Sequence, residues 1–336
     1  MLLKAQKKGV IMKKRNSSID VIKGIAAVCV ILIHARFSGK IGDFIAEFGS
    51  WAVPFFFMVS GYYANNSKRE KIIRSIKHIA QLIGLAYAIN ILRVFIDCSC
   101  SITGMMDYLK ETVLSIRHIF LWITLNVTLI SGVSWFLFAL LYCYVIIYIF
   151  YNWYHSKLIY FVIALGVVLG ICSAIVLPLV GYNGIGINNA WMCGLPFFLF
   201  GSVIHRNLQQ NVVDSSYLVL GILGVILKIL GFITPIALGY IGNILFVVSL
   251  FIIALKNPKF ENKTLEKMGS SCAFYIYIMH PIFIHMFDAC YHGKTAVIIG
   301  CIRPLIVIVV TVSTSFLFVS LKKKFLENTV SISRGR

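Results

Sequence analysis

The sequence predicts an all-helical, polytopic membrane protein with about ten spanning helices and with both termini in the cytoplasm. Of its 336 residues, 59% are hydrophobic and 13% are charged, whereas a soluble domain carries about 25% charged residues. The mean hydropathy is +0.88, and apolar stretches long enough to cross a bilayer follow one another along the chain. The net charge of +19 does not indicate nucleic-acid binding, because the basic residues form short clusters between apolar runs and no nucleic-acid motif accompanies them.

Ten apolar windows are predicted to span the membrane. They are residues 18–37, 44–64, 78–96, 134–151, 158–181, 190–205, 217–232, 235–255, 272–291 and 296–320. Ser17 or Ser18 is expected to cap the first helix, and Asp20 adds negative charge to its first turn. In this division, residues 1–17 form a basic cytoplasmic segment, residues 18–320 the membrane domain and residues 321–336 a basic cytoplasmic tail.

The distribution of lysine and arginine predicts the orientation. Of the 31 basic residues, 22 fall in segments that this arrangement places inside and five fall in outer segments, as the positive-inside rule requires. Residues 113–130 are apolar but contain Arg117 and His118, and a span there would break the alternation. We therefore expect an interfacial or re-entrant helix on the outer face. The composition favours a multi-pass protein of a cell membrane, of the prokaryotic inner-membrane type.

The most informative residues are Lys23 and His34 in the first window. Eleven positions separate them, which is three helical turns plus about 20°, so they share a helix face about 16 Å apart along the axis. Asp20 lies on nearly the same face. Ionisable groups at membrane depth usually face a cavity or the bundle interior, so this stripe indicates a polar path through the bilayer. The alternatives are a structural histidine and a lysine that only extends to the membrane surface.

Other ionisable residues are predicted at a depth similar to that of His34. They are Arg93, Lys228, His285, Asp288 and Arg303. They face one outward cavity that could hold a sugar, or they pair with one another, since buried charges need partners. Trp135 and Tyr275 could stack on a sugar ring, although aromatic residues also collect at membrane interfaces for general reasons. The nine cysteines show no metal-binding spacing, and no metal or permanently bound cofactor is expected.

Five short motifs occur in a fixed order between residue 17 and about residue 285. They are Lys23 with His34, the segment Phe55-Phe56-Phe57-Met58-Val59-Ser60-Gly61-Tyr62, Ser134-Trp135-Phe136-Leu137, Leu195-Pro196-Phe197-Phe198-Leu199-Phe200-Gly201, and Gly269 to Pro281 with Tyr275, Tyr277 and His280. Together they resemble the acyltransferase 3 family of integral-membrane acyltransferases, which use acyl-CoA to modify sugars and surface polysaccharides. The chain departs from that pattern in carrying Lys23 where the family more often has arginine, and Arg74-Ser75-Ile76-Lys77 where it usually has Arg-x-x-Arg.

The resemblance assigns roles to these residues. His34 is expected to be catalytic, as a base or as an acylated nucleophile. Lys23 would assist catalysis or hold the donor, and Arg74 and Lys77 would bind the phosphates of CoA. Apart from the resemblance, their residue types and expected depth predict that the acceptor contacts Arg93, Trp135, Tyr275, His280 and Arg303.

The sequence therefore predicts an O-acyltransferase. It would move an acyl group, most simply acetyl, from cytoplasmic acyl-CoA to a hydroxyl of a cell-surface glycan or glycolipid. The alternative is a transporter or flippase for a lipid-linked sugar or another small polar substrate, because ten spans with intramembrane charges would suit that function equally well.

Overall fold

A computed structural model describes residues 16–113, 115–126, 134–179, 188–207, 216–234, 237–290 and 296–334, and all regular structure in them is helical. The α-helices of these ranges are α1 (Ser17–His34), α2 (Gly39–Gly49), α3 (Ala52–Ala64), α4 (Arg69–Asp97), α5 (Ile102–Thr112), α6 (Ile116–Leu125), α7 (Trp135–Ile149), α8 (Tyr151–Tyr154), α9 (Leu158–Leu179), α10 (Leu195–Asn207), α11 (Ser216–Ile233), α12 (Leu238–Lys256), α13 (Lys263–Lys267), α14 (Ala273–Cys290) and α15 (Ala296–Arg334). Two π-helical turns, Ala190–Gly194 and Met268–Cys272, lead directly into α10 and α14.

Eight helical stretches in the described ranges are long and apolar enough to cross a membrane, which confirms the predicted all-helical membrane fold. Two of the ten predicted windows form shorter helices. The window 134–151 corresponds to α7, which has 15 residues. The window 190–205 corresponds to a π-helical turn followed by α10, which has 13 residues.

Two helices extend past their predicted windows into basic sequence. α4 begins at Arg69 rather than at residue 78, so Arg74 and Lys77 lie on helical turns and not in a loop. α15 continues to Arg334, well beyond residue 320, so the predicted tail is helical over most of its length. Hydropathy windows end where the residues become polar, whereas the backbone hydrogen bonds of a helix continue into water.

The cap of α1 differs from the expected one. Asn16, rather than Ser17 or Ser18, caps the helix, because its Oδ1 accepts a hydrogen bond from the Ile19 backbone N–H at 3.0 Å. The Ser18 hydroxyl instead donates to the Asn257 carbonyl oxygen and accepts from the Phe260 N–H. The start of α1 is thereby tied to the connection between α12 and α13.

Helices α3 and α10 pack closely against each other at two glycines. A Cβ atom at Gly61 would meet the Phe198 carbonyl oxygen, and one at Gly201 would meet the Met58 carbonyl oxygen. The two backbones therefore pack directly against each other, as at other small-residue interfaces in membranes. Large buried aromatic side chains surround this contact: Trp51, Phe55, Phe57, Tyr154, Phe197, Phe198 and Phe251.

The segment predicted to lie on the outer face contains α6. At ten residues, α6 is about 15 Å long and too short to span the hydrocarbon core. Trp122 packs on Phe138 of α7 with ring centroids 5.5 Å apart, and its carbonyl oxygen accepts a hydrogen bond from the Tyr142 hydroxyl at 3.4 Å. The choice between an interfacial and a re-entrant helix stays a prediction, because residues 127–130 lie outside the described residues.

Candidate active site

Two histidines from distant parts of the chain lie side by side. His34, the last residue of α1, has its ring centroid 5.4 Å from that of His280 on α14, and the ring planes are tilted by 33°. His280 is fully buried, at 0% exposure, whereas His34 is exposed. We refer to these residues as the histidine pair. A group approaching from the open side would therefore reach His34 first.

Hydrogen bonding fixes the tautomer of neutral His280. Its Nδ1 lies 3.1 Å from the Ile276 carbonyl oxygen, and a carbonyl oxygen can only accept. The proton therefore lies on Nδ1, and the lone pair is on Nε2. This Nε2 is buried and has no hydrogen-bond partner among the described residues. Leaving a buried acceptor unsatisfied costs about 1–3 kcal/mol, and such atoms in a native fold call for an explanation, often a functional one.

At the other end of α1, Lys23 is paired and closely surrounded. Its Nζ lies 3.2 Å from Asp20 Oδ1, and the two side chains are 21% and 10% exposed. A Cβ atom at Gly24 would meet the Leu265 carbonyl oxygen, and one at Gly269 would meet the Asp20 carbonyl oxygen. These two glycines allow α13 and the following turn Met268–Cys272 to lie against α1.

A mostly apolar cavity of about 250 Å³ extends away from Lys23. Ser270 and Ser271 line its polar end beside Lys23, and residues of α1, α3, α4, α7 and α14 form its apolar walls, including Phe136 and Tyr277. The Tyr277 ring centroid is 6.2 Å from that of His280. This central cavity therefore leads from Lys23 to the neighbourhood of the histidine pair.

A second, more polar cavity adjoins the first at the Lys23 end. Its volume is about 880 Å³, and it shares Lys23 and Ser270 with the central cavity. Tyr63, Lys259 and Glu261 are among its other lining residues. We call it the mouth cavity. Sequence analysis did not single out Lys259 or Ser270, because a loop lysine and a serine carry no distinctive pattern until the fold brings them beside α1.

Four of the five ionisable residues predicted near the depth of His34 occupy two ion-pair groups, which Asp97 completes. His285 Nε2 lies 2.6 Å from Asp97 Oδ1, and Arg93 lies 3.5 Å from the other oxygen of that carboxylate. Arg303 pairs with Asp288 at 2.7 Å. These groups link α4, α14 and α15 beyond His280, at the same end of the bundle as His34. The buried Nε atoms of Arg93 and Arg303 have no hydrogen-bond partner within the described part of the chain.

Lys228 belongs to a different part of the fold. It is 3% exposed, and its Nζ donates to Asn243 Oδ1 at 2.9 Å, to Ser50 Oγ at 3.0 Å and to the Glu47 carbonyl oxygen at 3.3 Å. These contacts tie α11 and α12 to the end of α2. Three oxygen acceptors on α2, its C-cap and α12 therefore hold the Lys228 ammonium group, rather than any of the other charges predicted at this depth.

The other residues that the sequence predicted to contact the donor or the acceptor do not lie together at one site. Trp135 is half-buried, with its ring centroid 6.1 Å from that of Phe57, between the two ends of the bundle. Tyr275 lies near the Lys23 end, against Phe318 and within 3.2 Å of the Lys322 ammonium group. Arg74 and Lys77 are exposed on α4 and line neither cavity. In the described residues, no three His, Cys, Asp or Glu side chains form a group that could hold a metal ion.

The fold and these sites define a polytopic membrane protein with two adjoining cavities that share Lys23 and Ser270, one of which is lined by Tyr277 beside a pair of histidines. The family model described as "Acyltransferase domain", acyltransferase 3, matches residues 16–321. The chain therefore belongs to this family and is a membrane-bound acyltransferase. No curated protein and no solved structure matches the chain.

Proposed function

We propose that this protein transfers an acyl group from a CoA thioester to a hydroxyl group of a cell-surface glycan or glycolipid. The observation that carries the proposal is the continuity of the two cavities. The mouth cavity and the central cavity share Lys23 and Ser270. The central cavity is lined by Tyr277, whose ring centroid is 6.2 Å from that of His280, although neither histidine lines the cavity itself. A donor entering at one face would thus meet an acceptor at the other.

The donor is bound from the mouth cavity. Its phosphates need cationic partners. Lys23 and Lys259 line this space together with Asp20, the ion-pair partner of Lys23, and Glu261. The roughly 16 Å between Lys23 and His34 along α1 is the distance that the arm carrying the thioester must cover through the central cavity. Acetyl-CoA is the first donor to test. Arg74 and Lys77 remain predicted contacts for CoA phosphates that extend outside the mouth cavity.

His34 acts as the general base. It takes the proton of the acceptor hydroxyl while the oxygen attacks the thioester carbonyl carbon. The carbon–sulfur bond then breaks, and the CoA thiolate receives the proton from His34. Such a base contributes about 10² to 10⁴ in rate. His280 Nε2 accepts a hydrogen bond from protonated His34 and thereby stabilises the positive charge that develops on His34. The carboxylate of a hydrolase triad stabilises its histidine in the same way. The exposed His34 ring can turn to make this bond.

The acceptor is bound at the His34 end. Arg93 and Arg303 offer buried guanidinium N–H groups that lack partners among the described residues, and a sugar hydroxyl or an anionic substituent could accept from them. Trp135 would contribute an apolar face. Tyr275 has no part in this proposal, because it packs on α15 near the Lys23 end.

The test uses purified protein and radiolabelled acetyl-CoA, followed by a series of longer acyl-CoA donors. We expect thioester cleavage that increases when total membrane glycolipid is added, and transfer of label to that fraction. His34→Ala should reduce both by at least about 10² while expression and membrane insertion stay normal. Label that remains on the protein without an acceptor would indicate an acyl-histidine intermediate. If no donor in the series is cleaved, the proposal fails and a transporter becomes the better interpretation.

A further inference from the structure

A groove on the outside of the bundle runs along α11 and α12 and reaches the edge of the mouth cavity. Its apolar part, about 310 Å³, lies between α11 and α12 and is lined by Leu218, Ile222, Val225, Phe246, Leu250 and Ile253, among others. Ile222 is 53% exposed and Leu218 is 61% exposed. These helices are candidate membrane spans, so this face meets lipid chains rather than water.

The groove continues into a basic space at the Lys23 end. A cavity of about 690 Å³ is lined by Ile253, Lys256, Asn257, Lys259 and other residues, so that Ile253 lines both parts. Among the described residues, the cavity lining includes two lysines and no acidic residue. The Lys256 ammonium group lies 5.8 Å from the centroid of the Tyr217 ring, directly before Leu218 on α11. The positive charge of Lys256 therefore lies at the Tyr217 end of the apolar part.

The dimensions match one leaflet of a bilayer. Phe246 and Lys256 mark the two ends of the groove on α12, and ten residues of helix extend about 15 Å. Half of the hydrocarbon core is also about 15 Å thick. Ser249 is the only polar side chain among the described residues that line the apolar part. Its hydroxyl already donates to the Tyr217 carbonyl oxygen. A hydrocarbon chain is therefore the occupant that this surface accepts.

We propose that this groove binds one anionic phospholipid. The phosphate contacts Lys256, and one acyl chain runs along α11 and α12. Basic pockets at the ends of membrane helices are suited to anionic head groups. Pro258 and Lys259 also line the mouth cavity, so the bound lipid would lie against the wall of the donor entrance. The binding proposal does not depend on acyl transfer.

The experiment measures retention of lipid by the full-length protein. Detergent-purified protein is loaded with equal amounts of phosphatidylglycerol and phosphatidylcholine, and bound lipids are counted by native mass spectrometry. We expect phosphatidylglycerol to be preferred. Lys256→Gln should weaken its binding about fivefold, the effect of one lysine near an anionic lipid head group. Ile222→Trp should also weaken binding, because the indole fills the groove while facing the bilayer.

Matched controls separate this site from general attraction. Lys324→Gln removes an exposed lysine of α15, and Leu223→Trp adds the same indole to α11 outside the groove; neither should change retention. Equal retention of the two lipids by the wild type would overturn the proposal, as would a loss in Lys324→Gln equal to that in Lys256→Gln. Displacement of the lipid by inorganic phosphate would also overturn it, since the site would then recognise only a free anion.

Discussion

His280→Phe tests whether the buried histidine serves function at the expense of stability. The substitution removes the unsatisfied Nε2 acceptor, whose burial costs about 1–3 kcal/mol. It also removes the hydrogen bond from Nδ1 to the Ile276 carbonyl oxygen, which contributes about 0.5–1.5 kcal/mol. Phenylalanine fills a similar volume, so no large cavity forms. The two effects nearly cancel, and the free energy of unfolding should stay the same or rise by about 1 kcal/mol.

The expected effect on catalysis is much larger. A hydrogen bond to a charged group contributes about 1.5–3 kcal/mol, which corresponds to a decrease of about 10- to 150-fold in kcat if the bond forms only when His34 is protonated. The KM for acyl-CoA should not change, because His280 does not bind the donor. His280→Gln should restore part of the rate, since its amide oxygen can replace Nε2 as an acceptor.

The assay combines steady-state kinetics with thermal unfolding in the same detergent. A purely structural role for His280 would give the opposite pattern: His280→Phe would unfold at a lower temperature, and kcat and KM would change together with the loss of folded protein. Full activity in His280→Phe would refute the proposed hydrogen bond. Failure of His280→Gln to recover any rate would also count against it, provided that this variant is as stable as the wild type.

Three further predictions concern the donor and the orientation. In the same kinetic assay, Lys23→Arg should keep most of the activity and Lys23→Ala should lose most of it, because only arginine retains the positive charge where the two cavities meet. Equal activity of both variants would indicate a lysine that merely extends to the membrane surface. The double substitution of Arg74 and Lys77 by Ala should raise the KM for acyl-CoA more than it lowers kcat, as for lost uniform binding, and a fall in kcat alone would exclude a phosphate-binding role. In a cysteine-free background, a membrane-impermeant thiol reagent should label a cysteine at Lys110 in intact cells and should label one at Lys263 only after the membrane is broken; labelling of Lys263 from outside would reverse the predicted orientation.

The sequence predicted the class of fold because the bilayer imposes a strong local requirement. A spanning segment must be helical and apolar over about 20 residues, and this property can be recognised within each window. Helix ends were predicted less well, as α4 shows, because a helix can continue past the membrane without any change in its backbone hydrogen bonding. Capping by Asn16 was also missed, since three consecutive polar residues could each have formed the cap.

The sequence by itself also determined that Lys23 and His34 share one face of α1, because helical periodicity is a property of a single segment. Only the tertiary structure placed His280 beside His34 and put Ser270 and Lys259 into a cavity that Lys23 also lines. It also placed Lys228 within a separate set of acceptors. These contacts join residues that are far apart in the chain, and they depend on how closely two helices approach. Glycines such as Gly61 and Gly269 permit that approach, but a glycine in one sequence does not reveal which backbone will pack against it.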